Sequence, residues 1–141
     1  MTHLSLLVVA LLALAPVLGD SVQRDVKIAV APRYGGIART GAVNGEVSIK
    51  VSVAKNGVVL KIKSIKGPPA LQKDALDAVR RWVFEPYKEE TEQEINMVFE
   101  ILSRDRPESD EGVTYIRPAS FHIKARLPDP SVNWAQPTER K

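Results

Sequence analysis

Between Gly45 and Val53 apolar and polar residues alternate, with Val47, Ile49, Val51 and Val53 set against Glu46, Ser48, Lys50 and Ser52. A period of two sustained over this length predicts a β-strand with one buried and one wet face. Lys55-Asn56-Gly57 follows, and residues that tolerate positive φ at that point predict a hairpin. The return strand places Val58, Leu60 and Ile62 on one face and Lys61 and Lys63 on the other, until the alternation slips at Ser64-Ile65, as at a bulge or a strand end. From Gly67 to Tyr87 the period changes. Leu71, Ala75, Leu76, Val79, Trp82 and Val83 recur at three-and-four spacing, while Lys73, Asp74, Asp77, Arg80 and Arg81 fall opposite them. This predicts one amphipathic helix, led in by Pro68 and Pro69, closed by Pro86 and supported by an Asp77–Arg81 pair one turn apart. A charged loop, Lys88 to Glu94, leads to a third strand in which Ile95, Met97, Phe99 and Ile101 alternate with Asn96, Val98, Glu100 and Leu102. Hairpin, helix, strand is an α+β order: one antiparallel sheet with the helix packed on one face.

The flanks are less regular. Asp25 to Ala31 is a short strand or an extended lead-in, Pro32 to Gly36 a turn, and Ile37 to Ala42 a single helical turn or an irregular link. Ser103 to Glu111 is dense in charge and carries Pro107, which predicts a solvated loop. Val113 to Ile116 and Phe121 to Leu127 are further strand candidates, the second with Phe121, Ile123, Ala125 and Leu127 inward and His122, Lys124 and Arg126 outward. Pro118 between them predicts an edge or an interruption. The organisation expected is residues 1–19 as an export signal, 20–31 as a lead-in, 32–102 as the domain, 103–127 as a charged loop with extra strands, and 128–141 as a loose tail. Leu4 to Leu18 is an apolar run ending in Val17-Leu18-Gly19, a small-residue cleavage pattern. As a helix it would span about 22 Å, short of a hydrocarbon core about 30 Å thick, so a cleaved signal and a periplasmic protein are expected. The alternative is an uncleaved inner-membrane anchor, because Thr2 and His3 bring no basic side chain to the start of the run.

The 141 residues are 44% apolar and 26% charged, with a formal net charge of +3, which fits one globular domain and is too mild to point to nucleic acid. With no cysteine, the domain stands on its hydrophobic core, and thiolate metal sites are excluded. Catalysis finds little support. Beyond the export segment the one histidine is His122, on an outward position with no flanking nucleophile motif, so neither a histidine metal cluster nor a Ser-His-Asp site can be assembled from spacing. Asp105, Glu108, Asp110 and Glu111 lack the ligand order of a calcium loop. No enzyme, cofactor or small-molecule substrate is expected. Trp82 and Phe84 read as core rather than as a ligand-stacking pair, and Tyr34 and Tyr87 as rim packing or the lining of a groove. Lys50, Lys61, Lys63 and Lys66 read first as guards against edge-to-edge association, and second as a docking surface for an acidic partner.

The wording of several segments resembles the C-terminal domain of the TonB energy-transducer family. Pro32-x-Tyr34, Ile37-Ala38-Arg39 and Ala42-Val43-x-Gly45-x-Val47 are similar to its opening, and Asn56-Gly57 sits at its hairpin turn. Ala75-Leu76-Asp77-Ala78-Val79-Arg80-Arg81-Trp82-Val83-Phe84-Glu85-Pro86 is similar to its most recognisable stretch, so Val47, Ile49, Val51, Ala75, Leu76, Val79, Trp82, Phe84 and Pro86 are expected as core and family motif. The resemblance covers about residues 32 to 102. It implies a periplasmic protein-binding domain that grips an envelope protein or peptide, such as a TonB-dependent receptor, in TonB-type transport. It also implies that the partner adds a strand along Ile95, Asn96, Met97, Val98, Phe99, Glu100, Ile101 and Leu102, which requires that edge to be open. Two features depart from full transducers. Only about 12 residues separate Gly19 from Pro32, where a spacer of ~3.1 Å per residue must otherwise cross the periplasm. The strands within Val113 to Leu127 could also cap the open edge, which would make this a structural or assembly domain instead.

Overall fold

A computed structural model describes residues 22–130; the expected export signal and most of the expected tail lie outside the described residues. The elements are β1 (Val26–Ile28), α1 (Gly36–Thr40), β2 (Gly45–Val53), β3 (Val59–Lys66), α2 (Pro69–Val79), β4 (Val83–Phe84), β5 (Thr91–Leu102), β6 (Gly112–Ile116) and β7 (Ser120–Arg126), with one 3-10 turn at Glu108–Asp110. The main sheet has the order β3-β2-β5-β7-β6, and β1 and β4 form a separate two-stranded ribbon. The α+β class holds, but the sheet is mixed rather than antiparallel: β7 runs parallel to β5. The chain leaves β5, travels past its neighbour's place to lay down β6 at the outside, and returns to insert β7 between the two.

The valines of β2 face inward as their alternation requires, and Val47, Ile49, Val51 and Val53 are fully buried with Leu71, Ala75, Ala78, Val79 and Trp82 from the helix side. Leu76 is half-buried and Pro86 exposed, so these two contribute less to the core than their motif suggested. In β3 the phase differs from the expected one. Val59, Ile62 and Ile65 pair with Val53, Val51 and Ile49, and the register shifts twice, leaving Leu60 and Lys63 as extra residues. Two bulges convert a period of two into a spacing of three, so Leu60 is 56% exposed and Val58 also faces water.

Helix α2 ends at Val79, well before Pro86. Beyond it the amides of Arg81 and Trp82 turn back to Ala78 and Val79, and those of Phe84 and Glu85 are taken by the carbonyls of Gly57 and Asp25. Lateral partners thus claim the donors that further helix would use. Trp82 remains buried, its Nε1–H donating to the Val30 carbonyl at 2.9 Å. Gly57 sits at φ +94, and a Cβ there would lie 1.8 Å from the Phe84 carbonyl oxygen, so the hairpin turn and β4 touch backbone to backbone. Asp77 pairs with Lys73 at 3.6 Å and Arg80 at 3.7 Å, while Arg81 donates to the Asp77 backbone carbonyl instead of its carboxylate.

Strand β5 starts at Thr91, within the stretch expected as loop. The polar Gln93 keeps the inward phase of Ile95, Met97 and Phe99 because its amide is satisfied: it accepts from the Arg24 N–H at 3.0 Å and donates to the Val22 carbonyl at 2.7 Å. Arg24 is itself buried, 3% exposed, and donates to the carbonyls of Ala54, Val53, Glu85 and Glu89 beneath the Tyr87 ring. Burial lowers its pKa from the usual arginine value, with Tyr87 opposing. The lead-in to the fold is therefore fastened to two loops by one side chain.

Candidate protein-binding edge

Strand β5 is the middle of the sheet. Phe99 to Thr91 pair with Gly45 to Val53 of β2 on one side, and Asn96 to Leu102 pair with Ser120 to Arg126 of β7 on the other. The open edge expected along Ile95 to Leu102 is therefore closed within the chain from Asn96 onward. Ile95, Met97, Phe99 and Leu102 are buried, Ile101 is half-buried, and Asn96, Val98 and Glu100 lie on the sheet face away from α2. Leu102 departs from the outward position its phase predicted, at the point where its carbonyl accepts from the Leu127 amide and the strand ends. The closure rests on an apolar docking: Phe121 and Ile123 of β7 enter the core with Ala119, and the Phe121 ring meets Trp82 edge-on at a centroid distance of 5.8 Å.

Among the described residues the main sheet ends in two outer strands, β3 and β6, and they differ in kind. The β3 edge carries both bulges and three lysines, Lys61, Lys63 and Lys66, with Lys63 3.6 Å from Glu92. Bulges and lysines are the usual means of discouraging a further strand. The β6 edge has neither. Gly112 to Ile116 pairs with Lys124 to Ser120 in unbroken register, has no charged residue, and is exposed throughout. Val113 and Ile116 are each 50% exposed and Tyr115 37%. Tyr115 is held in place from behind, its ring 5.3 Å from Phe121 and 6.4 Å from Trp82, and its hydroxyl donates to the Pro118 carbonyl. Burial raises its pKa, partly countered by Arg117.

The charged loop before β6 is tied down by arginine. Glu111 accepts from the Arg126 N–H at 2.6 Å and lies 3.8 Å from Arg39, while Glu108 meets Arg126 and Asp110 meets Arg106. Arg126 was legible only as an outward residue of its strand; its part in seating this loop depends on a contact between distant segments. His122 shares a 2.8 Å hydrogen bond with Glu100 across β7 and β5 on the open face. Tyr34 is rim packing: it stacks edge-on against Phe99 at 5.2 Å and donates to the Val43 carbonyl.

The family model for the Gram-negative bacterial TonB protein C-terminal matches residues 30–101. The chain belongs to this family. Comparison with curated proteins gives no match. The TonB C-terminal domain is a protein-interaction domain of the cell envelope, and its members interact with proteins such as TonB-dependent receptors. Among the described residues no helix is long and apolar enough to cross a membrane. The match stops at β5, so the hairpin of β6 and β7 that covers the last family strand lies wholly beyond the matched residues.

Proposed function

We propose that this chain is an exported, periplasmic TonB-like binding module that acts by engaging an envelope protein rather than by catalysis, and that it takes up an extended segment of that partner as an added strand at β6. The observation that carries the reading is the contrast between edges: β5 is covered by β2 from Thr91 to Phe99 and by β7 from Asn96 to Leu102, β3 is bulged and lysine-lined, and β6 presents unpaired backbone flanked by Val113, Tyr115 and Ile116. Strand addition supplies affinity through main-chain hydrogen bonds and makes small demands on the partner's sequence, as a module serving TonB-type transport requires. Amide exchange on the exported chain, with and without an N-terminal peptide of a TonB-dependent receptor, tests it. Slowed exchange confined to Val113 to Ile116 is expected. Protection gained at Ile95 to Leu102 with protection lost at Ser120 to Arg126 would mean that the peptide evicts β7, and would overturn the assignment to β6.

A second reading is favoured by the parallel pairing of β7 on β5. With the family's last strand sealed from within, the domain serves assembly of the envelope as a non-transducing structural unit. Failure of any receptor peptide to alter exchange at either strand, at concentrations that saturate a full transducer domain, selects this reading.

A further inference from the structure

The β3 margin of the sheet and the helix beside it gather the positive charge of the chain, and we infer that this margin docks onto a bilayer surface of anionic phospholipid headgroups. Residues 55–81 hold seven basic and two acidic side chains, a net +5 in a chain of net +3, so the remaining residues sum to −2. All seven basic side chains are exposed. Lys73 and Arg80 share Asp77, and Lys63 lies 3.6 Å from Glu92. Lys61, Lys66 and Arg81 meet no carboxylate among the described residues, Arg81 donating only to a backbone carbonyl.

The bulges set aliphatic side chains among these cations. Val59, Leu60 and Ile62, with Lys61 and Arg80, line an open groove of about 490 Å³ between β3 and the C-terminal end of α2. Leu60 stands out because it is the extra residue of its bulge, and Val58 ahead of it is 44% exposed. Lys61 and Lys66 lie opposite Ser52 and Ser48, on the sheet face turned away from α2, whereas Arg80 and Arg81 come from the end of the helix. Viewed along the strand, an aliphatic ridge runs between two banks of long cations. An extended peptide needs an unbroken row of backbone groups, which the two register shifts interrupt. A small anion needs donors that converge, and these diverge across two layers. A headgroup layer satisfies both parts: Val58 and Leu60 enter its boundary, while the lysine and arginine stems lie along it and their charged ends reach phosphates. The attraction decays within a Debye length, about 8 Å at physiological salt, so only a margin seated on the surface gains from it. Strands β3 and β6 are the opposite margins of the sheet, so a chain seated this way keeps β6 clear, and the inference stands whatever β6 takes up.

Sedimentation of the exported chain with vesicles tests the inference. Vesicles of phosphatidylglycerol mixed with phosphatidylcholine should carry the chain down at low salt, vesicles of phosphatidylcholine alone should not, and the bound fraction should fall as salt is raised. Lys61→Ser combined with Arg80→Ser should lower the partition coefficient roughly 30-fold, at about fivefold for each cation lost, and Leu60→Ser should lower it several-fold with no change of charge. Lys124→Ser removes one charge from β7 instead and should leave binding as it was. All four side chains are exposed, so each variant should keep the far-ultraviolet circular dichroism of the unaltered chain. The inference is overturned if anionic vesicles leave the chain in solution at low salt, if neutral vesicles bind it equally, or if Lys124→Ser weakens binding as much as Lys61→Ser does. It is also overturned if the vesicles fail while a soluble polyglutamate peptide binds through Lys61 and Arg80, since the margin would then take an acidic protein segment. Amide exchange at Val113 to Ile116 reads the proposal for β6 separately, so either can fail without the other.

Discussion

Replacing Phe121 with alanine tests whether the C-terminal hairpin is an integral part of the sheet or a loosely seated cover. The ring is 6% exposed, stands edge-on to Trp82 and lies 5.3 Å from Tyr115, so its removal opens a cavity shared by the turn after α2, β6 and β7. Truncations of this kind cost about 3 to 5 kcal/mol, and domains of this size are stable by about 5 to 15 kcal/mol in all. With a urea dependence of about 1.5 kcal/mol per molar, the unfolding midpoint should fall by roughly 2 to 3 M. Because β7 pairs along the same stretch of β5 that enters the core, amides of Ile95 to Leu102 should lose protection in step with those of the hairpin. Far- and near-ultraviolet circular dichroism and amide exchange together read both effects. A loss below about 1 kcal/mol, with Ile95 to Leu102 already fast in the unaltered protein, would show that β7 does not seal β5, and the reasoning about edges would fail with it.

Two other substitutions probe the supports of the fold. Gly57→Ala should destabilise severely, since its Cβ would meet the Phe84 carbonyl at 1.8 Å from a residue at φ +94; a thermal midpoint equal to that of the unaltered chain would refute the close approach. Burial pushes the Tyr34 hydroxyl from 10.0 up to about 12, against the pull of Arg39 and with a smaller push from Glu100, so the folded state holds this proton more tightly than the unfolded chain does. The corresponding stability is present below pH 10.0 and is lost as pH rises towards about 12, and Tyr34→Phe should flatten that alkaline limb in a pH series of denaturation midpoints.

The parts of the fold that could be read in advance are those governed by local period. Val47 to Val53 announce a half-buried strand, and Leu71 to Val79 a helix face, because each segment's own spacing decides its exposure. The misreadings share a different cause. Trp82 continues the helical spacing, yet the backbone there turns back, and the amides of Phe84 and Glu85 beyond it are drawn off by Gly57 and Asp25, which are distant in sequence. Val59, Ile62 and Ile65 are three apart, a spacing that means nothing as strand or helix until two bulges are known. The candidate edge suffered most. Ile95 to Leu102 reads as a third strand, but whether a strand is central or peripheral depends on pairing, and the parallel return of β7 between β5 and β6 leaves no trace in the alternation of Phe121 to Arg126. That Trp82 and Phe84 are core was legible because large aromatics at the junction of helix and sheet have few other places to go.

The hook formed by Arg24 has a mechanical meaning. Its guanidinium grips the turn after β2 and the segment leading into β5, and its own amide is held by Gln93, so whatever is attached ahead of Val22 is joined to the sheet with almost no slack. Tension arriving from that side would load both loops together instead of unzipping β1 from β4 first. The domain is thus fitted with a short, stiff handle at its front, placed at the opposite end of the sequence from the hairpin where a partner is proposed to attach.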